Sequence, residues 1–141
     1  MVDLQTAIRN FYICYDLLNK LCWDGTLPPC RIEFSKRMRR AWATAGTDFI
    51  IRFNAPMCAL TSDVHILMIM AHEMTHIWQY SRGRSGGHGK DFYREMERIG
   101  IMGRKNMSTR ENSCFAYVLF VYSLKNIKLA ESMKIINLRK I

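Results

Sequence analysis

His72-Glu73-Met74-Thr75-His76 and the later His88 are the residues of this chain whose types and spacing could do chemistry. On an α-helix, residues four apart lie one turn above each other on the same face, so His72 and His76 can grip one zinc ion. Glu73 points roughly 100° around such a helix, where it reaches water at the metal without occupying a coordination position. The break Ser81-Arg82-Gly83-Arg84-Ser85-Gly86-Gly87 is flexible enough to turn the chain back and deliver His88 to the same ion. Three histidine ligands leave a fourth position open, which a catalytic zinc needs and a structural zinc lacks. The implied chemistry is metal-assisted hydrolysis with Glu73 as general base.

An H-E-x-x-H pentapeptide alone arises by chance in many unrelated helices. Its setting here makes it more specific. The run Val64-His65-Ile66-Leu67-Met68-Ile69-Met70-Ala71 is apolar enough for a buried helix. Histidines and a glutamate at the end of such a helix are costly to desolvate unless a metal pairs them. His65 is a control: it falls on nearly the same face as His72 but lies about 10 Å away along the axis. It reads as a helix-start or packing residue and not as a ligand.

The motif needs elements to hold it. Leu4, Ile8, Phe11, Tyr15 and Leu18 recur at steps of four and three, predicting an amphipathic helix from about Leu4 to Leu21. Asp24-Gly25-Thr26-Leu27-Pro28-Pro29 is a turn that ends it. Arg31–Ser35 alternates as a half-buried strand, Ala41–Gly46 reads as a second and Phe49–Phe53 as a third, with a hairpin at Thr47-Asp48. Three antiparallel strands packed on the motif helix are expected, with Phe49–Phe53 as an edge able to align an extended substrate. Thr61-Ser62-Asp63 offers N-caps for the motif helix, which should run to about Tyr80. A third helix is predicted over Lys90–Ile99, with Phe92, Met96 and Ile99 on one face. Cys114–Tyr122 suits a strand or a buried helix, and residues 125–141 suit a strand pair or a basic helix. Tyr80 and Arg82 are only weak candidates for stabilising an oxyanion and are left outside the site.

At 141 residues the chain has the size of one domain, and with 49% hydrophobic residues it is globular in composition. No apolar run reaches the length of a membrane span, and Met1–Gln5 does not resemble a secretion signal. Five scattered cysteines without a C-x-x-C pair suggest neither a zinc ribbon nor a disulfide framework. An intracellular, reducing compartment is expected, whether cytoplasm, nucleoid, nucleus or a virus's host cell. The net charge of +9 is uneven: residues 1–103 carry 13 Lys/Arg against 10 Asp/Glu, whereas residues 104–141 carry 8 against 2. With the cluster Lys36-Arg37-Met38-Arg39-Arg40, this excess suits contact with a polyanion, although a solvated basic face would look the same.

The chain resembles the SprT-like zinc metallopeptidases over about residues 3–100. The likeness rests on Asp3-Leu4-Gln5, Trp23, Ala45-Gly46, Ile51-Arg52-Phe53-Asn54, His72-Glu73-Met74-Thr75-His76 and His88-Gly89-Lys90-Asp91-Phe92. The resemblance implies an α+β, zincin-like domain in which three main helices pack on a small antiparallel sheet. It implies one Zn2+ held by His72, His76 and His88, with Glu73 as catalytic base. It also implies proteolysis of DNA-associated or DNA-crosslinked proteins. Residues 1–103 would form the peptidase core and residues 104–141 a short basic extension packed on it, without the zinc ribbon that many bacterial members carry there.

The expected function is therefore an intracellular, monomeric zinc endopeptidase acting on DNA-bound protein. Lys36, Arg37, Arg39, Arg40, Arg104 and Lys105 are the candidate DNA contacts, and no membrane is involved. The alternative is a non-catalytic DNA-binding or adaptor protein on the same scaffold, with structural zinc. The retained Glu73 argues against it.

Overall fold

The protein is described from a computed structural model over residues 2–139, so Met1 and the last two residues of the expected extension lie outside it. Helix α1 spans Leu4–Trp23, and the Asp3 carboxylate caps it by accepting from the Thr6 amide at 2.8 Å. It ends where Asp24 turns left-handed at φ +51. Its apolar stripe (Ala7, Phe11, Cys14, Tyr15, Leu18) is buried, and Phe11 meets Phe34 and Phe53 edge-on at 5.0 and 5.2 Å.

Strands β1 (Arg31–Ser35), β2 (Ala43–Ala45) and β3 (Ile50–Asn54) form one sheet in the order β1-β3-β2. The expectation of an all-antiparallel sheet is corrected here: β2 and β3 are antiparallel, but β1 runs parallel to β3, with Ile32 opposite Ile51 and Phe34 opposite Phe53. Residues 36–42 are long enough to cross the end of one strand, about two strand spacings of 4.8 Å, so the hairpin folds back into the middle of the sheet. The parallel pair follows from that crossing. It also makes β3 the central strand, so Phe49–Phe53 is not an edge. The open edge beside the motif helix belongs to β2.

One face of the sheet carries Ile32, Phe34, Ile51 and Phe53 toward α1. The other joins Arg52 to Glu33 at 3.1 Å and to Asp48 at 3.4 Å. A short α2 (Ala55–Cys58), capped by Asn54, leads to α3, Asp63–Ser81, the motif helix. Ser62 caps α3 by accepting from the His65 amide, and Ile66 to Ala71 are all buried. Helix α4 covers Lys90–Ile99, as the sequence predicts.

A two-stranded ribbon follows, β4 (Ile101–Met102) against β5 (Ser108–Thr109), and then α5 (Cys114–Ser123) and α6 (Leu129–Leu138). The described residues therefore contain six helices, three beyond the main ones expected. Cys114–Tyr122 is a helix because Ser113 caps it and α1 buries Phe115, Val118 and Tyr122 on one side. Helix α6 lies along α1, where Ser132 accepts from buried Asn10 at 3.0 Å. Asp63, at the start of α3, accepts from the Tyr122 hydroxyl and the Ala130 amide and so ties these helices to the motif helix. No described helix is long and apolar enough to cross a membrane.

Candidate metal centre

His72 and His76 lie one turn apart on α3, and His88 arrives from the α3–α4 loop just before α4 begins. Their Nε2 atoms converge: His88 lies 3.2 Å from His72 and 3.0 Å from His76. Three nitrogens each about 2.0–2.1 Å from a tetrahedral metal would be separated by roughly 3.3 Å, so this spacing fits a shared ion. The protonation state fits as well. Burial first, then the charges of His76 and His88, push His72 down to about 4, and burial lowers His76. Both rings are neutral near pH 7 and present lone pairs, the form a metal binds. These three residues can hold a metal ion.

Glu73 comes next on the helix and is buried, with Oε2 4.0 Å from His72 Nε2. Burial pushes its carboxyl up to about 8. A cation at the histidines would act in the opposite direction by attracting the carboxylate form. His72, Glu73 and His88 line a cavity of about 380 Å³ with Ala41, Trp42, Ala43, His65, Ile69, Arg104, Lys105 and Met107. His65 sits in that wall as a packing residue, hydrogen-bonded to Thr61 at 2.7 Å and edge-on to Trp42 at 4.6 Å.

The SprT-like family model matches residues 12–112. The chain belongs to the SprT-like family. No curated protein and no solved structure gives a match. The match spans every residue of the metal centre and ends just before α5.

The sequence assigned no supporting role at the site to two residues that have one. Gln79 is fully buried, and its Oε1 accepts from His76 Nδ1 at 2.8 Å, which fixes the tautomer with Nε2 free. The Gln79 amide nitrogen donates to Gly87 O at 2.9 Å and to Asp91 at 3.3 Å, so one side chain joins His76 to the segment that carries His88. Its signal was its place three residues after a ligand on the same helix. Phe92 is the other: its ring meets His76 face to face at 4.5 Å and lies 4.8 Å from both His72 and His88. It floors the centre, which explains why a phenylalanine four residues after His88 belongs to the pattern.

The loop between α3 and α4 is held closely. At Gly86 a methyl group would run into the Tyr80 hydroxyl, which itself donates to Ala45 O at 3.4 Å. Tyr80 is thus a strut between loop and sheet, and Arg82 lies over the Trp78 ring at 5.5 Å. Neither lines the cavity. The six basic candidates are divided. Arg104 and Lys105 line the metal cavity, Lys36 and Arg37 line a separate one with Glu33 and Arg52, and Arg39 and Arg40 are exposed and border neither.

Proposed function

We propose that this SprT-like protein is a zinc-dependent endopeptidase of the zincin type, and that its substrates are proteins bound or crosslinked to DNA. The observation that carries the enzymatic reading is a buried carboxyl group, Glu73, beside three converging imidazoles at the floor of a cleft. A purely structural metal has no use for a carboxylate next to, but outside, its ligand set. Zinc held by His72, His76 and His88 would polarise the scissile carbonyl and acidify water in the cleft. Glu73 takes the proton from the attacking water at a carboxylate oxygen and hands it to the departing amine nitrogen. His76 is kept in the ligating tautomer by Gln79, and Phe92 keeps water from beneath the ligands.

Among the described residues β2 pairs only with β3, and Ala41–Ala43 line the cleft. An extended peptide can therefore add to the outer edge of β2 and pass over the metal. The DNA component is supported by charge alone, the excess of cations in residues 104–141 and the exposed cluster around Arg39 and Arg40. The test is cleavage of a DNA-bound protein by purified, zinc-loaded protein, with and without DNA and with and without chelator. Cleavage that needs zinc, and that DNA stimulates at low salt with the stimulation lost as salt rises, is the expected result. Cleavage indifferent to chelator would remove the zinc peptidase reading, and cleavage indifferent to DNA would remove the DNA-bound substrate.

A further inference from the structure

The cleft over the histidines has two chemically different walls. One is uncharged: Ala41, Trp42, Ala43, His65 and Ile69, with Trp42 about one-third exposed and propped edge-on against His65. The other carries Arg104, Lys105 and Met107 from the turn between β4 and β5. Glu73 is the only acid in the lining. Among the described residues, no carboxylate lies within ion-pair distance of Arg104 or Lys105. Arg104 is nevertheless held in place, with its guanidinium 4.3 Å above the Tyr93 ring. Tyr93 in turn stands edge-on to Phe92 at 5.2 Å, the ring under the three imidazoles. An aromatic stack thus sets the cation's position relative to the metal centre, and its charge is left for whatever enters the cleft.

We infer that Arg104 and Lys105 form an acid-selective subsite, so that the cleft takes peptide segments bearing an Asp or Glu on one side of the scissile bond and an aromatic or apolar side chain on the other. This rests on the peptidase reading and names the substrate class of that same site. A cavity of about 380 Å³ suits a few side chains, whereas cations that track a nucleic-acid backbone line open grooves. The pair therefore serves the peptide in the cleft. Any DNA contact falls to the cations outside it.

The test separates binding from chemistry. Zinc-loaded Glu73→Gln protein is titrated into fluorescein-labelled, blocked hexapeptides with Phe and Asp at the centre, alongside their Phe-Asn and Phe-Lys counterparts and the reversed orders. The expected result is that one Asp order binds roughly five- to tenfold tighter than its Asn counterpart, with the margin shrinking as salt rises. The double variant Arg104→Glu/Lys105→Glu should reverse the order in favour of Lys. Single Arg104→Gln and Lys105→Gln variants, checked for metal content, should each narrow the margin if the double variant does not fold. Equal binding of Asp and Asn peptides, no peptide binding, or a preference unmoved by the variants overturns the subsite. So does a variant that loses single-stranded oligonucleotide binding while its peptide order stays the same. Chelator-sensitive cleavage of any peptide by the unmodified protein tests the peptidase reading separately.

Discussion

Helices α3 and α5 are the most apolar of the long helices, and the chain uses them in opposite ways. Along its second half α3 buries Glu73, Thr75, His76 and Gln79 among its apolar residues. Helix α5 buries only Phe115, Val118 and Tyr122, leaves Tyr117 and Phe120 more than half exposed, and is anchored by the Tyr122 hydroxyl, which donates to Asp63 and accepts from the Leu129 amide. At the polar end of α3 Thr75, His76 and Gln79 are each hydrogen-bonded, whereas Glu73 has only the 4.0 Å approach to His72 among the described residues. Burying polar groups is expensive, and a protein keeps them where they have work to do. One helix buries polar groups that a metal centre would use; the other buries apolar and aromatic side chains alone.

That contrast predicts substitutions whose effects separate cleanly. Glu73→Gln should lower cleavage by between about a hundredfold and ten-thousandfold while metal content and Tm hold or rise, because a buried acid is replaced by a neutral amide. Retained turnover in zinc-loaded variant protein would erase the distinction. Phe115→Ala should do the reverse, costing about 3–5 kcal/mol in denaturant unfolding with metal affinity unchanged in the folded fraction. Gln79→Leu lies between the two. It leaves His76 Nδ1 and Gly87 O without partners, so zinc affinity in a chelator competition should fall roughly 10–100-fold, and Gln79→Glu should recover part of the loss by restoring the acceptor.

The smallest effect concerns pH, measured as Tm of chelator-treated protein. His72 is depressed from its ordinary 6.5 to about 4, so its contribution is present above pH 6.5 and lost as pH falls through about 4. Glu73 is raised from 4.5 to about 8, so its contribution is present below pH 4.5 and lost as pH rises through about 8. His72→Gln should flatten the acid limb and Glu73→Gln the neutral limb, each by roughly 3–6 °C in Tm.

The same contrast explains what could be read in the residues. His72, Glu73, His76 and His88 were legible because metal chemistry demands fixed residue types at helical spacing, and α4 because Phe92, Met96 and Ile99 keep a helical period. Cys114–Tyr122 was ambiguous because a run apolar on every side has no period to separate helix from strand. The parallel pairing of β1 with β3 was hidden because alternation shows which face a residue takes and says nothing of which strand lies beside it. Gln79 was hidden because a glutamine on a helix reads as surface until the segment at Gly87 is known to cover it.

Gln79 also makes two events one. Its amide can hold His76 and the carbonyl of Gly87 together only when the loop is seated, so a metal that locks the histidines also clamps residues 83–88, and whatever seats the loop tightens the metal by the same factor. Zinc should therefore slow hydrogen exchange across 83–88 more than elsewhere. A bound ion would then act as the latch of its own compartment, and its removal should loosen the loop before any loss of fold.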